Sequence, residues 1–121
     1  MKRVRVCVCP HCGNLVLLSD AADVTCCGQT LRALTPQAPD EAHRLTAELS
    51  DGAWYLTSSH PMQREHYLSF AALVDEDTLV LRRLYPEWDA QTRLPYFAHG
   101  TLLWYCTRHG LFAQKIDAHK K

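Results

Sequence analysis

Thr101-Leu-Leu-Trp-Tyr-Cys106-Thr107-Arg108-His109-Gly110-Leu111-Phe-Ala-Gln-Lys-Ile116 reads as two strands around a tight tip. Residues 101–106 and 111–116 are β-compatible runs, and residues 107–110 turn between them. The tip carries a Cys-x-x-His spacing, which lets a thiolate and an imidazole converge on one ion. The same grammar recurs upstream. Residues 43–49 alternate, with Leu45, Ala47 and Leu49 on one face and Arg44, Thr46 and Glu48 on the other. Asp51-Gly52 is a hairpin signal leading into a strand over residues 53–58. Residues 66–74 form a long β-compatible run, and Asp75-Glu76-Asp77 turns into residues 78–84. Residues 85–95 hold Pro86 and Pro95 and read as irregular. Glu41, Ala42, Leu45 and Leu49 would also suit a helix over residues 39–49; strand is the preferred reading. Short strands at this spacing predict an all-β sandwich or barrel.

The first 35 residues have a different character. Cys9-Pro10-His11-Cys12-Gly13-Asn14 is a metal knuckle, and Cys26-Cys27-Gly28 supplies a second, tighter cysteine pair. Four thiolates in a tetrahedron fit zinc or a single iron. Adjacent ligands cannot adopt the relaxed knuckle, so the tetrahedron is expected to be distorted. The competing reading is free buried cysteines, or one disulfide plus spares. Strand-like runs at 4–8, 15–18 and 31–34 are too short to hold this piece together by apolar burial, so a metal would supply stability. Cys7 reads as a spare core cysteine and His11 as an exposed turn residue. Thr35-Pro-Gln-Ala-Pro-Asp40 reads as a linker. The expected units are therefore residues 1–36 and residues 37–121.

Bulk properties narrow the function. A chain of 121 residues has room for one ordinary domain, or for a small unit joined to a larger one. Thirteen basic residues balance thirteen acidic ones, which argues against nucleic acid or an anionic membrane as an obligatory partner. No apolar run approaches the roughly 20 residues of a membrane span. Met1-Lys-Arg leads straight to cysteines with no apolar stretch, so no signal peptide is read and the expected location is the cytoplasm. Six cysteines in a reducing compartment read as ligands or redox groups rather than staples.

The second unit holds His43, His60, His66, His99 and His109, with Cys106. His43, His60, His66, Cys106 and His109 all fall at expected strand ends or loops, where sites are usually built. A shared site of four imidazoles and one thiolate suits Fe(II) better than structural zinc, which prefers four ligands. Five ligands leave a sixth position open. A thiolate trans to it would favour one-electron or oxygen-species chemistry over zinc hydrolysis.

Taken in order, Cys9-Pro-His-Cys12-Gly13-Asn14, Cys26-Cys27-Gly28, Glu41-Ala42-His43, His60-Pro61-Met62-Gln-Arg-Glu-His66-Tyr67 and Cys106-Thr-Arg-His109-Gly110-Leu111 resemble desulfoferrodoxin, the two-iron type of superoxide reductase, across nearly the whole chain. The resemblance implies a desulforedoxin-like N-terminal domain followed by an immunoglobulin-like β-sandwich, paired as a homodimer. It implies a rubredoxin-like iron on Cys9, Cys12, Cys26 and Cys27, with zinc as an alternative there. It implies a second iron on His43, His60, His66 and His109 with Cys106 axial, and Glu41 as the carboxylate that binds the resting ferric ion. The implied activity is one-electron reduction of superoxide to hydrogen peroxide, with re-reduction by a rubredoxin-like donor. The family commonly has Glu-Lys-His where this chain has Glu41-Ala42-His43, and the missing lysine would attract the anionic substrate. Arg44 and Arg64 are the candidate replacements, and the preferred reading of both is a solvated surface charge. A non-catalytic electron-transfer or redox-sensing iron protein is the alternative reading, and a zinc-ribbon-like binding module ranks behind both.

Overall fold

The computed structural model describes residues 4–20 and 22–119; residues 1–3 and 120–121, the outer limits of the two expected units, lie outside these. Eleven strands follow in chain order among the described residues: β1 (Arg5–Val8), β2 (Leu15–Leu18), β3 (Val24–Cys26), β4 (Gln29–Leu31), β5 (Thr46–Ser50), β6 (Ala53–Thr57), β7 (Leu68–Val74), β8 (Leu79–Arg83), β9 (Gln91–Pro95), β10 (His99–Cys106) and β11 (Gly110–Asp117). The expected all-β class holds.

Strands β11-β10-β7-β8 form one antiparallel sheet and β5-β6-β9 another. Read as immunoglobulin strands, the second sheet is A-B-E and the first is G-F-C with one further strand beside C, a topology of the expected sandwich type. The period-two rule places the core. On β10, Leu102, Trp104 and Cys106 face the three-stranded sheet, while Leu103 and Tyr105 face the other way. The inner layer also takes Leu45, Trp54, Leu56, Leu94 and Phe112. Both buried indoles are satisfied: Trp54 Nε1 donates to Phe97 O at 2.9 Å and Trp104 Nε1 to His43 O at 2.9 Å.

Strand β7 breaks its own alternation once. Phe70 lies opposite Tyr105, but Leu68, not Ser69, lies opposite Cys106. That extra residue is a β-bulge, and it turns Leu68 into the inner layer beside Cys106. Asp51 and Gly52 both have positive φ (50° and 75°), as a two-residue hairpin turn of the mirror-image type demands.

Hairpin β1-β2 covers the outer face of the four-stranded sheet. Val6 packs in one cluster with Phe70, Ala72, Val74, Leu103 and Leu111. The segment expected as a linker is fastened rather than loose. Leu34 N donates to Val6 O, Gln37 N to Leu111 O, and Ala113 N to Gln37 O.

Three expectations change. The strand read over residues 43–49 is a 3-10 turn, Glu41–His43, capped by Asp40, and only then β5. Residues 85–95, read as irregular, end in β9, which pairs with β6 and carries Pro95 at its last position, where a missing N–H costs least. The run at 31–34 is strand only to Leu31.

Strands β10 and β7 approach closely at Gly100, where a Cβ would meet Val74 O at 2.7 Å. Gly100→Ala is therefore expected to cost about 1–3 kcal/mol through backbone displacement. A denaturation midpoint equal to the parent's, at equal slope, would contradict this packing.

Candidate metal centres

The four-cysteine cluster grows from two short turns. Gly13 N donates to Cys9 O and Cys9 N to Asn14 O, both at 2.9 Å, which folds the first knuckle tightly enough for Cys9 and Cys12 to face one point. The second pair uses a hairpin. Cys26 pairs with Gln29 across β3 and β4, and Cys27 and Gly28 turn between them with φ of 54° and 76°. Adjacent cysteines reach the same point because one ends a strand and the other sits in the turn. Cys27 takes a left-handed backbone that costs a non-glycine residue energy.

The four sulfur atoms lie within 4.8 Å of one another. Cys12 and Cys26 Sγ are 3.6 Å apart, and Cys26 and Cys27 Sγ 4.0 Å. Tetrahedral bonds of the ordinary metal–sulfur length put sulfurs about 3.8 Å apart. All six cysteines are free. The backbone N–H of Cys12 holds the Cys9 thiol down to about 6. The neighbouring sulfurs of Cys12 and Cys9 push Cys27 up to about 12 and also raise Cys26. Crowded thiols resist sharing several negative charges, and a bound cation removes that conflict. His11 does not join them; it hydrogen-bonds Gln29 Oε1 at 3.1 Å and stays exposed, as expected.

The second cluster sits at one end of the sandwich. The ligand atoms of His43, His60, His66 and Cys106 lie within 4.8 Å of one another. His109 stands beside this set rather than within it, its Nδ1 3.1 Å from His43 Nε2 and 3.5 Å from Cys106 Sγ. Nitrogens bound at right angles around one ion at the usual distance are about 3 Å apart.

Each residue arrives by a separate device. Cys106 ends β10 and pairs with Gly110 of β11, leaving Thr107, Arg108 and His109 as a three-residue tip; Gly110 has φ 98°, which this loop requires. His43 ends the 3-10 turn. His60 and His66 flank a loop closed by reciprocal backbone bonds between Gln63 and His66, both 3.0 Å.

Tautomers are fixed from behind. His43 Nδ1 donates to Asp40 Oδ1 at 2.7 Å, and His60 Nδ1 to Pro61 O at 2.7 Å. Both leave Nε2 as a bare acceptor facing the cluster. Burial lowers the pKa of His60 and of His66, keeping both rings neutral and able to ligate. His60 Nε2 and His66 Nε2 are buried with no hydrogen-bond partner. Orphaned nitrogens aimed at a thiol, two further imidazoles and one another fit a metal ion. The chain thus presents a four-cysteine set and a set of histidines with one cysteine, both compatible with iron.

Other sequence candidates lie outside this cluster. Glu41 is exposed on the turn and lines an open cleft with Arg44, Thr46, Thr57, Ser58 and Ser59. Arg64 faces Glu87 at 4.0 Å. His99 is at the far end of β10, 3.4 Å from Asp75. Cys7 is buried beside Cys9 and Leu31. Sequence reasoning missed Asp40, Gln37 and Phe112. Asp40 had a legible signal, an N-capping residue three positions before His43. Phe112, stacked on His43 at 4.5 Å, and Gln37, whose Nε2 donates to His109 O at 2.7 Å, had none, because both act across the fold.

Comparison with known proteins follows the same lines. The chain is 29% identical over 93 residues to a desulfoferrodoxin of Desulfarculus baarsii, covering 70% of this chain and 74% of that one. It is 24% identical over 123 residues to a desulfoferrodoxin of Syntrophotalea carbinolica, covering 94% and 98%. Its fold matches the superoxide reductase from Treponema pallidum with a TM-score of 0.83 at 20% identity, over 94% of this chain and 99% of that one. It also matches the 1Fe superoxide reductase from Giardia intestinalis, with a TM-score of 0.54 at 15% identity, over 64% and 99%. No protein-family model matches the chain.

With Cys26 and Cys27 protonated at neutral pH, metal entry into the cysteine cluster must displace at least their two protons. Apparent affinity for a divalent ion is expected to rise with pH, and proton release in weak buffer at pH 7 should be two or more per ion. Release of fewer would contradict the thiol assignment.

Proposed function

This relative of the desulfoferrodoxins, we propose, is a superoxide reductase, which reduces superoxide to hydrogen peroxide at a mononuclear non-haem iron held by His43, His60, His66, His109 and Cys106. The observation that carries the reading is the pair of orphaned, buried Nε2 atoms of His60 and His66 facing Cys106 Sγ. Hydrolytic zinc sites use fewer ligands and leave no reason for five.

Ferrous iron in this set would supply one electron and an open coordination position for a small anion. The chain's residues do the rest. Asp40 and the Pro61 carbonyl hold His43 and His60 with their lone pairs inward. Gln37 fixes the loop that bears His109. Cys106 is wholly buried, so its sulfur is shielded from water and oxidants. His109 is exposed, and water reaches the cluster on that side. Each turnover joins superoxide, one electron and two protons into one hydrogen peroxide, with the protons drawn from solvent. Glu41 belongs to the proposal as a carboxylate that reaches the oxidised ion. Residues 1–36 would hold an iron, or zinc, on Cys9, Cys12, Cys26 and Cys27, and residues 37–121 the reactive centre. The proposed setting is a cytoplasmic homodimer re-reduced by a rubredoxin-like donor.

One observation favours a second reading. Ala42 is exposed beside His43 and offers no charge to an approaching anion. A chain so altered would suit electron transfer or redox sensing. Rapid mixing of the reduced, iron-loaded protein with superoxide separates the two. Oxidation proportional to superoxide, with one peroxide formed per iron oxidised, is expected. Absence of oxidation would overturn the reductase reading, and recovery of the rate in Ala42→Lys would then assign the chain to the second.

A further inference from the structure

Asp40 reads in the sequence only as the end of a linker, yet its 2.7 Å contact with His43 Nδ1 is matched at the cluster's histidines only by the Pro61 carbonyl on His60. Its Oδ1 accepts two hydrogen bonds from one residue, from His43 N at 2.9 Å and from His43 Nδ1 at 2.7 Å. The first caps the 3-10 turn. The second is a carboxylate–imidazole contact on the face of the ring turned away from the cluster. His43 is 5% exposed, whereas Asp40 is 63% exposed. The imidazole is therefore buried, and its partner carries its charge at the water boundary. The same ring is stacked on Phe112, and the carbonyl of His43 accepts from Trp104 Nε1. Nothing in this arrangement is free to turn.

We infer that Asp40 is a positioning residue of the histidine–cysteine centre, which holds the His43 ring in one tautomer with Nε2 bare and lends that imidazole negative charge. This rests on the reading of the cluster as an iron centre. A carboxylate behind a ligating imidazole raises the basicity of the ring, and loss of such a partner typically costs about 10–100-fold in metal affinity. A negative charge close to the ion also stabilises the ferric over the ferrous state. Ala42 in the same turn brings no positive charge to offset Asp40.

The bland alternative is that Asp40 only caps the turn. Two substitutions separate the roles, since both Asn and Ser cap well. Asp40→Asn keeps an oxygen at the same reach but removes the charge. Asp40→Ser keeps the cap but is too short to reach Nδ1. In protein whose cysteine cluster is already loaded, Fe(II) affinity of the second centre is measured anaerobically against a chelator. The Fe(III)/Fe(II) midpoint is followed optically. Unfolding of the metal-free protein is the control for the cap. Expected are about a tenfold or greater loss of Fe(II) affinity in Asp40→Ser and a higher midpoint in Asp40→Asn. A tenfold change in the ferric-to-ferrous affinity ratio is about 59 mV for one electron. The unfolding midpoints of both metal-free variants should match the parent's. Variants with the parent's affinity and potential overturn the inference and leave Asp40 as a cap. A parent protein that binds no second iron overturns the inference together with the reading beneath it.

Discussion

Two imidazole nitrogens buried without a partner set the terms for the sandwich. Left unsatisfied, His60 Nε2 and His66 Nε2 would each cost about 1–3 kcal/mol. A fold that buries one such atom carries a defect. A fold that buries two, aimed at a thiol, fits a positive charge between them. The surrounding bonds serve that arrangement. Asp40, the Pro61 carbonyl and Gln37 act from behind the histidines. Trp104 and Phe112 fix the backbone and ring of His43. The bulge in β7 seats Leu68 against Cys106 and closes the floor of the site.

The two centres are assembled on different scales. Cys12 and Cys26 are 14 residues apart, and the cysteine cluster needs only two local turns. His43 and His109 are separated by 66 residues and meet only when β10, β11 and the capped turn are all in place. Loop-closure entropy makes the first assembly cheap and the second dependent on the sandwich. A metal ion can therefore organise the N-terminal turns directly, whereas the histidine cluster inherits its geometry from a finished core. The left-handed backbone at Cys27 is the local strain that permits such compactness.

Much of this was legible because chemistry and turn signals coincided. The Cys106-x-x-His109-Gly110 tip, the Asp51-Gly52 hairpin and both cysteine pairs advertise their geometry in a few adjacent residues. The misses share one cause. Strand β9 offers only Leu94 as a fully buried residue, so its pairing with β6 carries no periodic signal of its own. The turn at Glu41–His43 mimics alternation because His43 and Leu45 are both buried. Gln37 sits between two prolines, which hid its bridge to β11. Local pattern reports what a residue tends to do, and these residues are set by partners distant in the chain.

The four-stranded sheet is coated on both faces, by the three-stranded sheet on one and by β1-β2 on the other. This bears on ancestry. Two-part proteins are often pictured as cassettes joined by gene shuffling, each able to travel alone. Here the β1-β2 hairpin and the four-stranded sheet share one apolar cluster. A lineage that shed β1 and β2 would uncover part of the cluster of Phe70, Ala72, Val74, Leu103 and Leu111, which packs against Val6. It would have to repaint that flank with polar side chains, or cover it with another chain, before the sandwich could live independently.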